Sequence, residues 1–193
     1  MLFLGTVAIL FLNDAKGQKG VGVKAGVNIA SLSEFNGRTR ISGHGGLFVN
    51  YKVNKNFGVQ PELLFSGEGQ RLFSNAVEHT YALDYLQLPV MFQYYPAPNV
   101  FVEAGPQVGI LISAHDKVDQ RNGHTNIKDQ YTAAQFALAF GAGLELTDQI
   151  ILYGRYNFGL TDLSLLNNVD IYSRVGQVGI AVRLNETIPP QKK

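Results

Sequence analysis

Glutamates Glu62 and Glu103 are the residues of this sequence whose chemistry could build an active site. Two carboxylates in one site can divide the roles of general acid and general base, as they do in glycoside hydrolysis. No acid–base geometry supports such a pair here, and basic partners are available at Lys24, Arg155 and Arg183. We therefore interpret both glutamates as members of ion pairs and predict that the protein is not an enzyme.

Other residue types that carry chemistry predict no catalytic residue, cofactor site or metal site. Cysteine is absent, which excludes disulfides, thiolate metal ligands and thiol nucleophiles. The segment GAG at 141–143 is only a fragment of a nucleotide-binding loop, and small strand residues explain it. Asp116, Asp119 and Asp129 lack the spacing and central glycine of a calcium loop. Four histidines are predicted to lie at the surface, in or beside long loops: His44, His79, His115 and His124.

The elements that must position the charged side chains repeat with a period of two. The clearest case is segment 85–112, where two alternating runs flank the breaker PAPN at 96–99. In the first run the large apolar residues fall on even positions, which predicts a strand with one apolar face. The second run behaves in the same way, so the segment is predicted to be an antiparallel hairpin with Leu88 and Val108 on its apolar side.

The same alternation predicts about eight strands. They are 21–30, 46–53, 57–66, 85–95, 100–112, 134–146, 152–160 and 178–184. Their less apolar faces carry glutamine, glycine and isolated charges, and only 16% of all residues are charged. A soluble domain usually has about 25% charged residues. The pattern instead suits strands that face lipid on one side and a narrow lumen on the other, and it predicts a closed eight-stranded antiparallel up-and-down transmembrane β-barrel.

Connections between these strands alternate between long and short. The long ones are 31–45, 67–84, 113–133 and 161–176, and the short ones are 54–56, 96–99 and 147–149. A barrel whose two ends face different compartments shows such an alternation. Aromatic residues near the strand ends fit interfacial girdles: Tyr51, Phe57 and Tyr94 near the short turns, and Phe65, Phe136 and Phe158 toward the long loops.

The less apolar faces of the predicted strands together carry nearly equal numbers of positive and negative charges. The basic residues are Lys24, Lys52, Arg155 and Arg183, and the acidic ones are Glu62, Glu103 and Glu145. An unpaired charge away from water costs several kcal/mol, so the near balance predicts a salt-bridge and hydrogen-bond network inside the barrel. Such a network would close the pore.

The first residues predict export. Residues 2–12 form an apolar run of signal-peptide length, and Ala15 and Gly17 are placed for a cut before Gln18. We thus predict a signal peptide at 1–17, an outer-membrane barrel at 18–184 and a polar tail at 185–193. A net charge of +1 gives no reason to expect nucleic acid as a partner.

Several segments, taken in order, resemble one family. GVKAGVNIASL, FGVQPELLFSGEG, YLQLPVMFQYY, FVEAGPQVGIL and LYGRYNFGLTDLS are similar to the eight-stranded outer-membrane barrels of Bacteroidetes called porin-family or PorT-like proteins. The resemblance implies a small barrel in the outer membrane. One branch of that family is tied to a secretion system for surface proteins.

Together these observations predict a non-enzymatic barrel with a plugged lumen. Its role would be structural, adhesive or secretion-accessory, exerted through its outer loops. The expected partners are outer-membrane lipid, the barrel-assembly machinery, and secretion-system or surface proteins. A narrow porin-like channel for ions or small solutes is the alternative, since the sequence does not decide whether the lumen conducts.

Overall fold

The computed structural model describes residues 18–32, 38–74, 77–118, 124–127, 132–163 and 171–187. These residues form the strands β1 (Gln18–Leu32), β2 (Arg38–Lys52), β3 (Phe57–Ser74), β4 (Val77–Ala97), β5 (Val100–Val118), β6 (His124–Asn126), β7 (Ala134–Glu145), β8 (Ile150–Gly159) and β9 (Ser173–Thr187). The described residues include no helix long and apolar enough to cross a membrane.

Eight of these strands close into an antiparallel barrel. Each pairs with its neighbour along the chain, and β1 pairs with β9 to complete the circle, with Val23 opposite Val182. The short strand β6 stands outside the circle and pairs with β5 alone. The predicted up-and-down barrel of eight antiparallel strands is therefore confirmed.

The two faces of the wall differ in the way that the period-two pattern predicts. Large apolar side chains point outward, among them Leu88 and Val108, each 37% exposed. Next to them Gln87 and Gln107 point inward and are buried. At the end with the short turns, the exposed rings of Phe57 and Tyr94 lie 5.3 Å apart. An apolar outer face with aromatic residues near its edge suits contact with lipid.

Several strands are longer than predicted, mainly at the end of the barrel away from the short turns. The short connections lie at 53–56, 98–99 and 146–149, close to their predicted places. At the other end β3 continues to Ser74 and β4 begins at Val77, within the predicted loop 67–84. Similarly, β5 continues to Val118, and β9 begins at Ser173. The predicted bounds of the long loops are therefore wrong, because the sequence of these strand ends does not alternate regularly between large apolar and polar residues.

The predicted boundaries at the two ends of the barrel domain lie close to the first and last described residues. Strand β9 runs past Leu184 and pairs with β1 as far as Thr187. The predicted signal peptide and residues 188–193 of the tail lie outside the described residues.

Candidate functional site in the barrel interior

Four buried charges form a cluster in the middle of the lumen. Lys24 of β1 donates to both carboxylate oxygens of Glu62 of β3, with N–O distances of 3.0 and 3.2 Å. The Arg155 guanidinium of β8 binds Glu62 in a bidentate way at 2.9 and 2.8 Å. Its Nε and Nη2 atoms also donate to Oε1 of Glu103, of β5, at 3.0 and 2.7 Å. Two cations and two anions thus balance here, and we call these four residues the central cluster.

A second group of charges lies nearer the short turns. Glu145 of β7 accepts a hydrogen bond from the guanidinium of Arg183 of β9. Lys52 of β2 donates to the same carboxylate, with 3.3 Å between Nζ and Oε2. Arg183 also donates to the main-chain oxygen of Asp148 in a short turn, at 3.1 Å. The structure therefore brings all the predicted lumen charges inside, as two separate groups and not as one network of direct ion pairs.

Amide side chains also bind the two carboxylates of the central cluster. Gln60 donates to Oε1 of Glu62 at 2.8 Å, and Gln93 donates to Oε2 of Glu103 at 3.1 Å. Asn50 joins both amides by donating to their carbonyl oxygens at 3.0 and 2.8 Å. Each carboxylate of the central cluster is thus held by a cation and an amide, which suits a structural role better than acid–base chemistry.

Aromatic rings fill the space left by the polar side chains. One buried apolar cluster, near the short turns, joins Phe48, Tyr95, Phe101, Ile151, Tyr153 and Ala181. Within it the rings of Tyr95 and Phe101 lie 5.5 Å apart. The ammonium of Lys24 sits 3.9 Å from the ring centroid of Tyr153, within cation–π distance. Rings and charges therefore pack together across the lumen.

The prediction that His44 lies at the surface is wrong. His44 belongs to β2, is only 5% exposed, and contacts Asn28 through Nδ1 and the Tyr153 hydroxyl through Nε2. Its position on the inward face of the strand buries it. The other three histidines, predicted in or beside loops, also belong to strands: His79 to β4, His115 to β5 and His124 to β6.

Sequence reasoning also missed Glu68, the acidic side chain at the outer end of the lumen. It is 1% exposed and accepts hydrogen bonds from Gln87, Gln135 and Ser173. Its residue lay in a predicted loop, so it was not counted among the lumen charges. The signal that could have found it is its even position on β3, the same parity as Glu62.

Next to Glu68, at the end of the barrel away from the short turns, apolar side chains form a second buried cluster. This cluster consists of Leu83, Tyr85, Leu111, Ala114 and Ile127. Ile127 follows β6, and its main-chain nitrogen donates to the oxygen of Ala114 at 3.1 Å. Across the described part of the chain, no three or more His, Asp or Glu side chains are grouped in a way that could hold a metal ion.

Comparison with known proteins gives one family and a set of similar folds. Residues 14–165 match the family described as "Outer membrane protein beta-barrel domain". Neisserial surface protein A has a similar structure, with a TM-score of 0.54 and 12% sequence identity over 88% of this chain and 100% of that one. Ail, the attachment invasion locus protein of Yersinia pestis, gives a TM-score of 0.48 and 14% identity over 87% of this chain and 99% of its own. No curated protein sequence matches the chain.

Proposed function

Because the chain belongs to the outer membrane protein beta-barrel domain family and lies in the outer membrane, we propose that it is a non-enzymatic barrel with a closed lumen that acts at the cell surface. An eight-stranded barrel encloses an interior just wide enough for side chains to fill. The observation that carries the proposal is the central cluster, which spans that interior.

The central cluster joins distant parts of the wall. Arg155 on β8 reaches Glu62 on β3, while Lys24 on β1 holds Glu62 from another side. Arg155, Glu62 and Glu103 have side chains at most 1% exposed. An ion moving through the lumen would have to displace these paired charges, and separating them in a space without bulk water would cost several kcal/mol. We therefore expect a barrel that does not conduct.

A sheet that continues beyond the lipid-facing band supports a role in surface contacts. Within residues 80–97 of β4 the first exposed apolar residue is Leu86, and the strand extends from there past the band to its start at Val77. At roughly 3.3 Å per residue this is about 30 Å of strand. Strands β3, β4, β5 and β6 run side by side there, and β6 is the last strand of the described sheet on that side. A sheet edge is a surface to which a partner protein can add a strand.

This arrangement favours an adhesive or secretion-accessory role over catalysis. The finer assignment that we propose is to the PorT-like barrels of Bacteroidetes, based on segments such as FGVQPELLFSGEG and FVEAGPQVGIL. The partners would then be outer-membrane lipid, the barrel-assembly machinery during insertion, and secretion-system or surface proteins at the projecting sheet.

Planar-bilayer recording tests the closed lumen. The wild-type protein should be nearly silent under conditions in which a porin of known conductance, inserted in the same bilayer, gives its usual steps. Steady, sizeable single-channel conductance from the wild type would contradict the plug and favour the narrow channel for ions or small solutes.

Single cysteines test which end faces outward, since the natural chain has none. Thr39 is exposed at the outer end of β2, and Lys55 is exposed in the short turn between β2 and β3. A membrane-impermeant maleimide should label Thr39→Cys on intact cells and label Lys55→Cys only after the outer membrane is opened. The reverse pattern would place the projecting sheet in the periplasm and refute a surface role.

A further inference from the structure

Glu68, on β3, contacts side chains from three other strands of the wall. Its Oε1 accepts a hydrogen bond from Nε2 of Gln87 at 2.6 Å. Its Oε2 accepts from the Ser173 hydroxyl at 2.6 Å and from Nε2 of Gln135 at 3.4 Å. The neighbouring Gly69 has a φ of 115°, a backbone conformation that L side chains rarely adopt. The carboxylate is therefore built into the outer lumen by β3, β4, β7 and β9.

This carboxylate differs from the other buried ones because no cation pairs with it among the described residues. Glu62 and Glu103 share Lys24 and Arg155 within the balanced central cluster. Arg40 contacts residue 68, but its guanidinium donates to the main-chain oxygen of Glu68 and not to its carboxylate. A buried carboxylate without a counter-charge is costly, so either a bound cation or a proton must balance it.

Burial raises the pKa of Glu68, whereas the three donors aimed at its carboxyl group favour the ionised form. A carboxylate accepts hydrogen bonds at both oxygens, whereas a protonated carboxyl group must itself donate to an acceptor. Gln87 and Gln135 both present nitrogen to Glu68, and neither nitrogen can accept. Ser173 alone among the three partners could accept from a protonated Glu68. The arrangement therefore suits a negative charge, and a proton on Glu68 is the rival explanation to be tested.

Side-chain oxygens without partners lie beside this carboxylate. Oε1 of Gln87 and Oε1 of Gln135 are buried and have no hydrogen-bond partner, and each shares its amide carbon with the nitrogen that binds Glu68. Gly109 stands opposite both glutamines in register and places no side chain between them. A Cβ at that position would lie 3.4 Å from Oε1 of Gln135. Gln107, further along β5, has an unpartnered Oε1 as well. Amide and carboxylate oxygens are the ligands that hard cations prefer.

We propose that Glu68, Gln87, Gln135 and Ser173 form a binding site for a monovalent alkali cation in the outer lumen. The site holds one negative charge beside the unpartnered amide oxygens of Gln87 and Gln135, and one positive charge balances it. A divalent ion would leave an excess charge in this buried space, because the central cluster below is already neutral. Calcium sites also commonly use several carboxylates within about 6–8 oxygen ligands, and only one carboxylate is present here. Sodium is the probe used for the test.

Thermal unfolding in two salts of equal ionic strength tests the site, since choline is too large to enter it. The midpoint of the detergent-folded wild type should rise with sodium chloride relative to choline chloride and level off at saturation. Glu68→Gln keeps the shape of the side chain, removes the charge, and should abolish the difference between the salts. Gln87→Met keeps Glu68 and should weaken the difference.

Glu145→Gln is the matched control, because it removes a buried lumen carboxylate that Arg183 and Lys52 already neutralise. It should lower the midpoint in both salts and keep the sodium response. Equal midpoints of the wild type in both salts would overturn the proposal, as would a sodium response that survives in Glu68→Gln. Stabilisation by acid alone would assign the positive charge to a proton, and stabilisation by calcium alone would assign it to a divalent ion. Either result would overturn the proposal.

A heavier alkali ion gives a direct readout that does not depend on stability. Crystals grown or soaked in rubidium chloride should show an anomalous peak next to the Glu68 carboxylate, and crystals of Glu68→Gln should not. A peak confined to other positions would refute the site.

Discussion

Replacing Arg155 by alanine removes the residue that ties the central cluster together. Its guanidinium makes four hydrogen bonds of 2.7–3.0 Å to Glu62 and Glu103. After the change Glu62 keeps Lys24 at 3.0 Å, whereas Glu103 keeps only the neutral amide of Gln93, at 3.1 Å, among the contacts described above. One buried carboxylate thus loses its counter-charge while its burial remains.

The expected loss of stability follows from that uncompensated charge. Removing one partner of a buried ion pair typically costs about 3–5 kcal/mol, and we expect Arg155→Ala to lower the free energy of unfolding by that amount. A double variant separates the charge from the lost volume. In Arg155→Met/Glu103→Gln the lumen keeps a filled cross-section and the neutral pair of Lys24 and Glu62, so most of the loss should be recovered.

Two assays measure the outcome. Urea unfolding in lipid vesicles gives the free energy from the midpoint, provided that the slope with denaturant is unchanged. Planar-bilayer recording should show leak steps for Arg155→Ala and few for the double variant. If Arg155→Ala were as stable and as silent as the wild type, or if the double variant were no more stable than the single one, the central cluster would not be what closes and stabilises the barrel.

Three further outcomes are expected. Val108→Arg places a charge on the lipid face and should destabilise the barrel by about 2–4 kcal/mol if the residue lies near the bilayer midplane, so normal unfolding in lipid would refute the face assignment. Gly22→Ala would bring a Cβ to 2.3 Å from the ring of Phe48 and should cost about 1–3 kcal/mol, whereas Gly43→Ala, whose Cβ would meet its nearest atom at 3.7 Å, should be tolerated. N-terminal sequencing of the native protein should begin at Gln18, and a retained initiator methionine would refute the predicted cleavage.

Alternation of residue type was enough to predict the barrel, because each strand faces lipid on one side and the polar interior of the barrel on the other. Where the wall meets lipid, every second residue must be apolar, and the predicted faces of Leu88 and Val108 are confirmed. Beyond the lipid the strands continue to pair through their backbone hydrogen bonds, but their outward side chains need not be apolar. The strand ends at Ser74 and Val118 therefore have no alternating signal, and the chain there was interpreted as loop.

That error about the loops also explains the two misjudged interior residues. His44 and Glu68 both fall in segments interpreted as loop, where a polar side chain is expected to face water. In the structure both segments belong to strands, and both residues take the parity of the inward face. An interior histidine or carboxylate can be recognised only after the extent of its strand is known.

Which charges would meet inside could not be derived from the sequence, because the strand register fixes neighbours only along the wall. Lys24 on β1 reaches past β2 to Glu62 on β3, and Arg155 on β8 reaches past β7 to Glu103 on β5. These contacts depend on the tilt and stagger of the strands, which set how far each side chain rises along the lumen. Near equality of charge along the chain predicts that pairs form, but it does not say that Glu145 belongs to a separate group with Arg183 and Lys52. Charge balance must therefore be judged cluster by cluster, and on that basis Glu68 differs from Glu62, Glu103 and Glu145 because no basic side chain among the described residues pairs with it.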